Sequence, residues 1–237
     1  MTDTSTGTLE IFRQADAVRE TFIRIDASGQ VTAYNGHVDL GTGIEVALGQ
    51  IVAEELNVPL DRVRVVLGNT NEVPDQGPTI ASETMQITAI PLRKAAAQAH
   101  RQLLRLGALR LNAPEDAVTS TDGAVHWQAE SVGYGALIAG QKIALPLDLE
   151  TPVKDPAHYQ IVGTSAPRRD MMEKLTGQQL YVHDLHIEGM VHGHVIRPPY
   201  AGRDSGDFIG NSLIDYDPAS VAGMDGLIDV VRVGDFL

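Results

Sequence analysis

The sequence contains no cysteine among its 237 residues. This absence excludes disulfide bonds, zinc sites with cysteine ligands and any iron–sulfur cluster held by thiolates of this chain. Electron carriers of that kind, if the function needs them, lie on other chains.

Long apolar runs and basic clusters are also absent. No stretch of about 18 apolar residues occurs, and the N-terminal residues have no charged segment followed by an apolar run, so we expect a cytosolic, soluble chain. The 31 acidic and 18 basic residues give a formal net charge of −13. Nucleic acid is therefore not an expected partner, because phosphate binding needs a concentrated set of Lys and Arg side chains.

The hydrophobic pattern predicts an α+β fold with a sizeable core, since 43% of the residues are hydrophobic. Alternation of apolar and polar residues over 20–36 predicts a β-hairpin around a Ser-Gly turn. Helical spacing from Ile44 to Leu56 predicts a helix that ends at Asn57-Val58-Pro59. A short strand follows at 62–68.

The rest of the chain divides near residue 155, which gives two predicted domains over 1–155 and 156–237. A long Ala- and Leu-rich helix is predicted within 79–112, and Pro91 either starts it or kinks it. A hairpin is expected around Thr121-Asp122-Gly123, before a proline-containing link. The pattern then predicts short strands and turns, with a helical turn and a final strand over 218–237.

The turn Gly41-Thr42-Gly43 lies immediately before the first predicted helix. A nicotinamide or flavin fingerprint requires a third small residue where Val46 stands, so that assignment fails. Two interpretations remain open. The glycines serve only a tight strand-to-helix turn, or the free backbone N–H groups at the helix start bind an anion or a polar ring, with the Thr42 hydroxyl as a further donor.

A second group of small hydroxyl residues, Thr79, Ser82 and Thr84, precedes the long helix. Ser and Thr commonly cap helices, so a structural role is one interpretation. The other is that both helix starts face one ligand. Sequence spacing does not decide between them.

The motifs "GHVDLGTGI", "VPLDRVRVVLGNT" and "PDQGPTIAS", followed by the Ala-rich helix, resemble the molybdopterin-binding subunits of the xanthine dehydrogenase and aldehyde oxidase family. The nearest pattern is the nicotinate dehydrogenase and isoquinoline 1-oxidoreductase branch. The segment "VGTSAPRRDMMEKLTGQQLYVHDLHIEGMVHGHVIRPPYAG" resembles the α/β-hammerhead part of that branch. The resemblance covers nearly all of the chain after residue 20.

The resemblance implies a set of site residues. The turn Gly41-Thr42-Gly43 matches the family turn that touches the pterin, and Ala81, Ser82 and Thr84 match the second pterin-contacting loop. Ile80 and Ala81 match positions near the substrate side of the molybdenum centre. The family more often has Gln where Thr42 stands, and a hydroxyl reaches less far than an amide, so we expect a weaker or water-mediated contact there.

The family segments that contact the molybdenum ligands, and its general-base glutamate, lie beyond the hammerhead part and have no match before Leu237. We therefore expect the front portion of a split subunit, inactive alone, with no catalytic residue and no metal ligand of its own. A large molybdenum-binding subunit would complete it.

The resemblance also implies a function: a molybdenum hydroxylase that inserts water-derived oxygen into an N-heteroaromatic, nicotinate-like substrate. The implied cofactor is a molybdopterin in its cytosine dinucleotide form, with neither iron–sulfur cluster nor FAD on this chain. The implied partners are a small 2Fe–2S subunit and a cytochrome or flavin electron acceptor, in the cytoplasm or attached to the inner membrane through them. The alternatives are a non-catalytic cofactor-binding or assembly module, an inactive structural fragment, and a subunit of an aldehyde-oxidising relative.

Three further groups of residues carry weaker expectations. The histidines His183, His186, His192 and His194 are interpreted as surface or interface residues rather than metal ligands. The basic residues of the long helix are interpreted as a solvated face, with binding of the cofactor pyrophosphate as the alternative; they are Arg93, Lys94, Arg101, Arg105 and Arg110. Interchain contacts are expected for Arg168, Arg169 and Arg197.

The final predicted strand carries an apolar face of Ile228, Val230 and Phe236. A strand that ends the chain leaves ladder donors and acceptors without partners. We expect the large subunit to add strands next to it.

Overall fold

The computed structural model describes residues 6–196, 213 and 215–233. It divides the chain into two compact units, residues 1–176 and 177–237. Helices and strands are mixed along the first unit, so the α+β prediction is confirmed. Among the described helices, none is both long enough and apolar enough to cross a membrane.

The first unit contains all the β-strands and α-helices that the described residues form. The strands are β1 (Thr8–Ala15), β2 (Val18–Asp26), β3 (Val31–Asn35), β4 (Val63–Leu67), β5 (Thr119–Thr121), β6 (Ala124–Trp127), β7 (Glu130–Gly133) and β8 (Lys142–Pro146). The α-helices are α1 (Ile44–Leu56), α2 (Ala89–Leu111), α3 (Tyr134–Ile138) and α4 (Met171–Leu175), and a π-helical turn, Thr84–Thr88, precedes α2.

The main sheet has five strands in the order β4-β3-β2-β1-β8, and β5, β6 and β7 form a separate three-stranded sheet. In the main sheet β2 is antiparallel to β1 and to β3, whereas β3 runs parallel to β4 with Asn35 beside Leu67. The carboxyl ends of β3 and β4 therefore lie at the same edge. Ligand sites in sheets that contain parallel strands commonly lie at such an edge.

The core lies between the main sheet and the two long helices. Helix α1 packs on α2 and β4, and α2 packs on β1, β2 and β3. Alanines at 95, 96 and 99 are buried on α2 and keep that face of the helix small. The largest fully buried apolar side chains include Leu9, Phe22, Ile25, Leu48, Leu56, Leu92 and Leu103.

The local predictions from the pattern are largely confirmed. The hairpin is β2–β3, the first helix is α1, and β4 is the predicted short strand. Asn57 ends α1 in the left-handed conformation, with φ 51°. Pro91 lies in the first turn of α2, directly after the π-helical turn, a position near the start of a helix that proline tolerates.

The structural division falls about twenty residues after the predicted boundary. Segment 156–176 packs with the first unit because its backbone is bonded to α1. The Glu54 carboxylate accepts hydrogen bonds from the backbone N–H groups of residues 160, 161 and 162 at 2.6–3.0 Å. The Gln50 amide donates to the carbonyls of Ile161 and Thr164, at 3.0 Å in each case.

The second unit differs from its prediction. Its described residues form turns and two short 3-10 helices, Val182–Asp184 and Pro218–Ser220, and Val233 forms an isolated bridge. The turns are confirmed, but the strands predicted over 174–202 and 226–237 are not formed in the described part of those segments. Arg197 and Phe236 lie outside the described residues.

Candidate functional site

Two loops meet at the edge where β3 and β4 end, and they enclose a cleft of about 370 Å³. The first loop follows β3 and contains the Gly41-Thr42-Gly43 turn. The second precedes the π-helical turn. The structure brings the predicted residues together, because Thr42, Ile80, Ala81, Ser82 and Thr84 all line this cleft. Gly41 and Gly43 form the turn that carries Thr42.

The Asp39 carboxylate caps the backbone of the glycine turn. Gly41 and Gly43 are left-handed, with φ 96° and 76°, and their N–H groups donate to Oδ1 of Asp39 at 2.8 and 3.2 Å. These donors are therefore not free for an anion. The Thr42 side chain, in contrast, is exposed and lines the cleft.

Asp39 is ionised at neutral pH. Partial burial alone would raise the pKa of its carboxyl, but the backbone N–H groups of Gly41, Gly43 and Glu45, together with the charge of Arg168, outweigh burial and hold the pKa below its ordinary value. The sequence pattern did not lead us to Asp39, although an Asp two residues before a glycine turn is a common local acceptor.

The second loop holds an unfavourable backbone conformation. Ala81 and Ser82 are both left-handed, with φ 48° and 61°. Each non-glycine residue in that region costs about 1 kcal/mol or more. The π-helical turn Thr84–Thr88 follows before α2 begins at Ala89. Such strain and π-turns occur often at functional sites. The second loop is thus irregular. It is not the regular helix start that the hydroxyl residues Thr79, Ser82 and Thr84 suggested.

A buried polar network fixes the second loop against the first. His37 is fully buried, its Nδ1 lies 2.8 Å from Oγ1 of Thr84, and its Nε2 lies 3.3 Å from the carbonyl oxygen of Gln76. A carbonyl only accepts, so Nε2 is the donor in this arrangement, and Nδ1 is then placed to accept from the Thr84 hydroxyl. Asn35 adds hydrogen bonds to Oγ1 of Thr88 at 3.1 Å and to the His37 N–H at 3.0 Å.

Two more hydrogen bonds connect the loops at the backbone. The Val38 N–H donates to Oγ1 of Thr79 at 2.9 Å, and the Gly36 N–H donates to Oε1 of Gln76 at 2.8 Å. The loops approach so closely that a Cβ on Gly36 would lie 2.3 Å from the Pro74 carbonyl oxygen. No periodicity in the sequence indicated Asn35, His37 or Gln76, because the contacts that join the two loops connect residues about forty positions or more apart.

The hydroxyl residues named by sequence therefore divide into two groups. The Thr79 and Thr84 hydroxyls are engaged in connecting the loops. Within the part of the chain that the structure describes, the Thr42 and Ser82 hydroxyls have no hydrogen-bond partner, and both side chains are exposed. These two hydroxyls are therefore side-chain groups that a ligand could bond.

The walls of the cleft are otherwise apolar and remain open to solvent. Leu40 is 70% exposed, Ile80 55% and Met85 44%. No lysine or arginine lines the described cleft. A few polar groups among apolar walls are typical of small-molecule sites. The lining fits an uncharged, flat heterocycle better than a phosphate group.

The basic residues of α2 contribute nothing to this cleft. Arg93 bonds Glu55 and the Lys154 carbonyl, each at 2.6 Å, and Lys94 bonds the Thr151 carbonyl at 2.8 Å, so these two are not solvated as we expected. They hold α2 against the segment that follows β8. The remaining three, Arg101, Arg105 and Arg110, are exposed, as predicted.

Arg168 and Arg169 bond groups of the chain itself, and the interchain contacts expected for them stay a prediction. Arg168 Nη1 donates to the Gly41 carbonyl at 2.6 Å. Arg169 donates to Glu45 at 3.2 Å and to the Leu60 carbonyl at 2.7 Å. Both residues lie on the segment that runs along α1.

The four histidines of the second unit are exposed. The His183 ring stacks on Tyr181, with 5.7 Å between ring centroids. Across the described residues there is no group of three or more His, Asp or Glu side chains that could hold a metal ion.

The cleft is the candidate ligand site of the described residues, and comparison with known proteins identifies the family of the chain. The family model "Molybdopterin cofactor-binding domain" matches residues 3–181. The chain belongs to this family, so the resemblance seen in the motifs is confirmed.

Similar proteins include two curated enzyme subunits and one solved structure. The chain is 49% identical over 217 residues to a nicotinate dehydrogenase subunit of Pseudomonas putida, across 91% of this chain and 18% of that protein. It is 29% identical to the beta subunit of isoquinoline 1-oxidoreductase of Brevundimonas diminuta, across 76% of this chain and 28% of that protein. A reconstituted CO dehydrogenase from Oligotropha carboxidovorans superimposes with a TM-score of 0.45 at 21% identity, across 56% of this chain and 18% of that one.

Proposed function

We propose that this chain forms one side of the cofactor site of a molybdenum hydroxylase and holds the pterin of a molybdopterin-type cofactor. The observation that carries the proposal is the meeting of the Gly41-Thr42-Gly43 turn and the loop 79–84 around one cleft. The family match supports the same cofactor.

The residues of the cleft suit a pterin. The Thr42 and Ser82 hydroxyls act as donors or acceptors to ring heteroatoms, and the side chains of Leu40, Ile80 and Met85 exclude water from the ring faces. Thr84 contributes its methyl group and oxygen, because its hydroxyl proton is directed to His37. When bound, the cofactor supplies the molybdenum centre at which a substrate carbon is hydroxylated with oxygen from water.

For the substrate we propose a small N-heteroaromatic compound related to nicotinate. The identity of 49% to the nicotinate dehydrogenase subunit of Pseudomonas putida supports this class. Ile80 and Ala81, two exposed residues of the cleft lining, are proposed to face the substrate side. An apolar side chain there suits a flat aromatic ring.

The remaining parts of the enzyme are proposed to be a large subunit that binds molybdenum, a small 2Fe–2S subunit and a cytochrome or flavin protein. The chain spans 18% of the length of the Pseudomonas putida nicotinate dehydrogenase subunit. We further propose the cytosine dinucleotide form of the cofactor, a cytoplasmic location, and no hydroxylase activity of this chain in isolation. Turnover by the isolated polypeptide would refute the last point.

The proposal is tested with hydroxyl-free variants in the assembled protein. Thr42→Val and Ser82→Ala each remove one hydrogen bond, which is worth about 1 kcal/mol, so each should weaken pterin retention about fivefold without lowering the unfolding temperature. Thr119→Val, on exposed β5, is the matched control and should retain the pterin. Pterin is measured by fluorescence after oxidation, and molybdenum by elemental analysis.

Nicotinate turnover in ¹⁸O-labelled water tests the reaction class. The product should carry one label from water. Unlabelled product, or full pterin retention by both hydroxyl-free variants, contradicts the proposal.

A further inference from the structure

Two charged side chains hold the two peptide groups on either side of Thr42. The peptide before Thr42 is held at the Gly41 carbonyl, which accepts from Arg168 Nη1 at 2.6 Å. The peptide after Thr42 is held at the Gly43 N–H, which donates to Asp39 at 3.2 Å. Asp39 also accepts from the Gly41 N–H at 2.8 Å. The direction in which Thr42 leaves the backbone is therefore set by Asp39 and Arg168.

Arg168 is itself fixed in orientation. Its Nε and Nη2 donate to the two carboxylate oxygens of Asp170 at 2.9 and 2.6 Å, which leaves Nη1 for the Gly41 carbonyl. Lys174 lies 2.6 Å from the same carboxylate. The hydrogen bonds from Arg168, and then those from Lys174, hold the pKa of Asp170 well below its usual range, so the carboxylate stays charged. A planar guanidinium bonded at both ends is a rigid support that a lysine does not reproduce.

Beyond these bonds, the Gly43 carbonyl accepts from the Val46 and Ala47 N–H groups at 3.2 and 3.4 Å, which holds the end of the turn but not Thr42 itself. A Cβ on Gly41 would meet no heavy atom within 4 Å, and the Thr42 side chain is exposed. Two glycines in three residues give the unrestrained backbone many accessible conformations, and ordering them at the moment of binding would weaken affinity. Side chains that order the turn in advance remove this loss.

We propose that Asp39 and Arg168 are positioning residues that hold Thr42 toward the cofactor cleft. Through Arg168, the segment that follows β8 takes part in cofactor binding without touching the cofactor. This inference rests on the proposed function. It assigns to Arg168, more than 120 positions from the turn along the chain, a role in pterin retention.

The chain offers a matched control one residue away. Arg169 lies on the same segment and donates to Glu45 and to the Leu60 carbonyl, but it does not bond the turn. Both arginines lie near the surface, where a single ion pair contributes little to stability. Arg168→Gln and Arg169→Gln should therefore fold equally well, which thermal unfolding checks.

The experiment compares the wild type, Arg168→Gln, Arg168→Lys and Arg169→Gln by two readouts. Hydrogen exchange of the amides in 40–44, measured on the full chain, reports the order of the turn without any cofactor. Pterin content and release rate, measured on the assembled protein, report retention. Arg168→Gln should speed exchange in 40–44 and weaken retention about tenfold, as expected for loss of a charge-assisted hydrogen bond. Arg168→Lys should fall between, and Arg169→Gln should match the wild type.

The outcomes separate this inference from the proposed function. If wild-type assemblies contain pterin and the Arg168→Gln variant retains it equally well, the inference is overturned and the proposed function is unaffected. Unchanged exchange in 40–44 for Arg168→Gln, or an equal loss of pterin in Arg169→Gln, also overturns it. Wild-type assemblies without pterin contradict the proposed function, and the inference with it.

Discussion

The side chains at the cleft divide into those that build it and those that face into it. Asn35, His37 and Thr84 are buried and bonded to one another or to the loops, whereas Thr42 and Ser82 are exposed and have unpaired hydroxyls in the described structure. Buried polar groups of this kind are worth most when every member has its partner. The shape of the cleft therefore depends on residues that a ligand does not reach.

His37→Ala tests that dependence. The change leaves the Thr84 hydroxyl and the Gln76 carbonyl without a partner and opens a cavity, so we expect the free energy of unfolding to fall by about 2–4 kcal/mol. Urea unfolding followed by circular dichroism measures it. His186→Ala, at an exposed position, is the control and should change stability by less than about 0.5 kcal/mol. Equal effects of the two substitutions would show that the network does not support the fold.

The sequence predicted part of the site and missed part of it. The residues facing the cleft, Thr42 and Ser82, belong to short motifs that are contiguous along the chain, so motif resemblance reached them. His37 and Arg168 act through partners 47 and 127 positions away. Pairings at such separations follow from the tertiary fold and leave no local pattern.

Among the secondary-structure elements, α1 connects the cleft to the rest of the first unit. Its N-terminal end carries the turn of the cleft. At its C-terminal end, Glu54 accepts from Lys154 at 2.7 Å as well as from the backbone of 160–162, and the Tyr134 hydroxyl donates to the Leu56 carbonyl at 2.8 Å. Segment 151–170 thus fixes both ends of the helix that positions the site.

This arrangement makes stability depend on pH. Burial alone would raise the pKa of the Glu54 carboxyl, but Lys154 and the N–H groups of 160–162 lower it from 4.5 to about 2. Burial, assisted by the charge of Lys154, lowers the pKa of the His100 imidazole from 6.5 to about 4. In both cases the unfolded chain binds the proton first as the pH falls. Stability is therefore lost between about pH 6.5 and 4 through His100, and between about 4.5 and 2 through Glu54.

Urea titrations at several pH values check this expectation with Glu54→Gln. The variant should lose about 3 kcal/mol at pH 7, because one pKa unit corresponds to about 1.4 kcal/mol, and its stability should change less than that of the wild type below about pH 4.5. Glu130→Gln, at an exposed position of β7, should follow the wild type. Parallel curves for Glu54→Gln and the wild type between about pH 4.5 and 2 would contradict the role of Glu54.

Local periodicity predicted the elements whose partners are near in sequence. The β2–β3 hairpin, α1 and α2 were identified this way, whereas β1 and β8 were missed. These two strands pair in parallel, with Thr8 beside Lys142, and β8 ends in a proline that obscures the strand pattern. The strands predicted in the second unit are not formed in its described residues. A strand persists only where a neighbour completes its hydrogen-bond ladder.

At the scale of the whole molecule, the two units differ in how far their apolar residues are buried. The first has a closed core between the sheet and two helices. In the second, Val182 is 86% exposed and Ile228 is 76% exposed, although Val230 is half-buried. Exposed apolar surface of this extent is typical of a surface that meets another chain. The proposed large subunit is the partner we expect to cover it.

Deleting residues 230–237 tests that expectation. The truncated chain should no longer copurify with the large subunit, since we expect the pair to share a sheet and an interface above roughly 2,000 Å². Helices α1 and α2 should remain folded, because they belong to the first unit, and hydrogen exchange around Ile51 and Leu103 measures this. A truncated chain that still assembles with full molybdenum content would show that the shared-sheet prediction is wrong.

The central claim is that the turn 41–43 and the loop 79–84 bind the pterin together. The most direct test is an experimental structure of the assembled, cofactor-loaded protein at a resolution that defines the pterin. We predict the pterin in the cleft between the two loops, within hydrogen-bonding reach of the Thr42 and Ser82 hydroxyls. A pterin held elsewhere, with this cleft filled by solvent or by a partner side chain, would contradict the account.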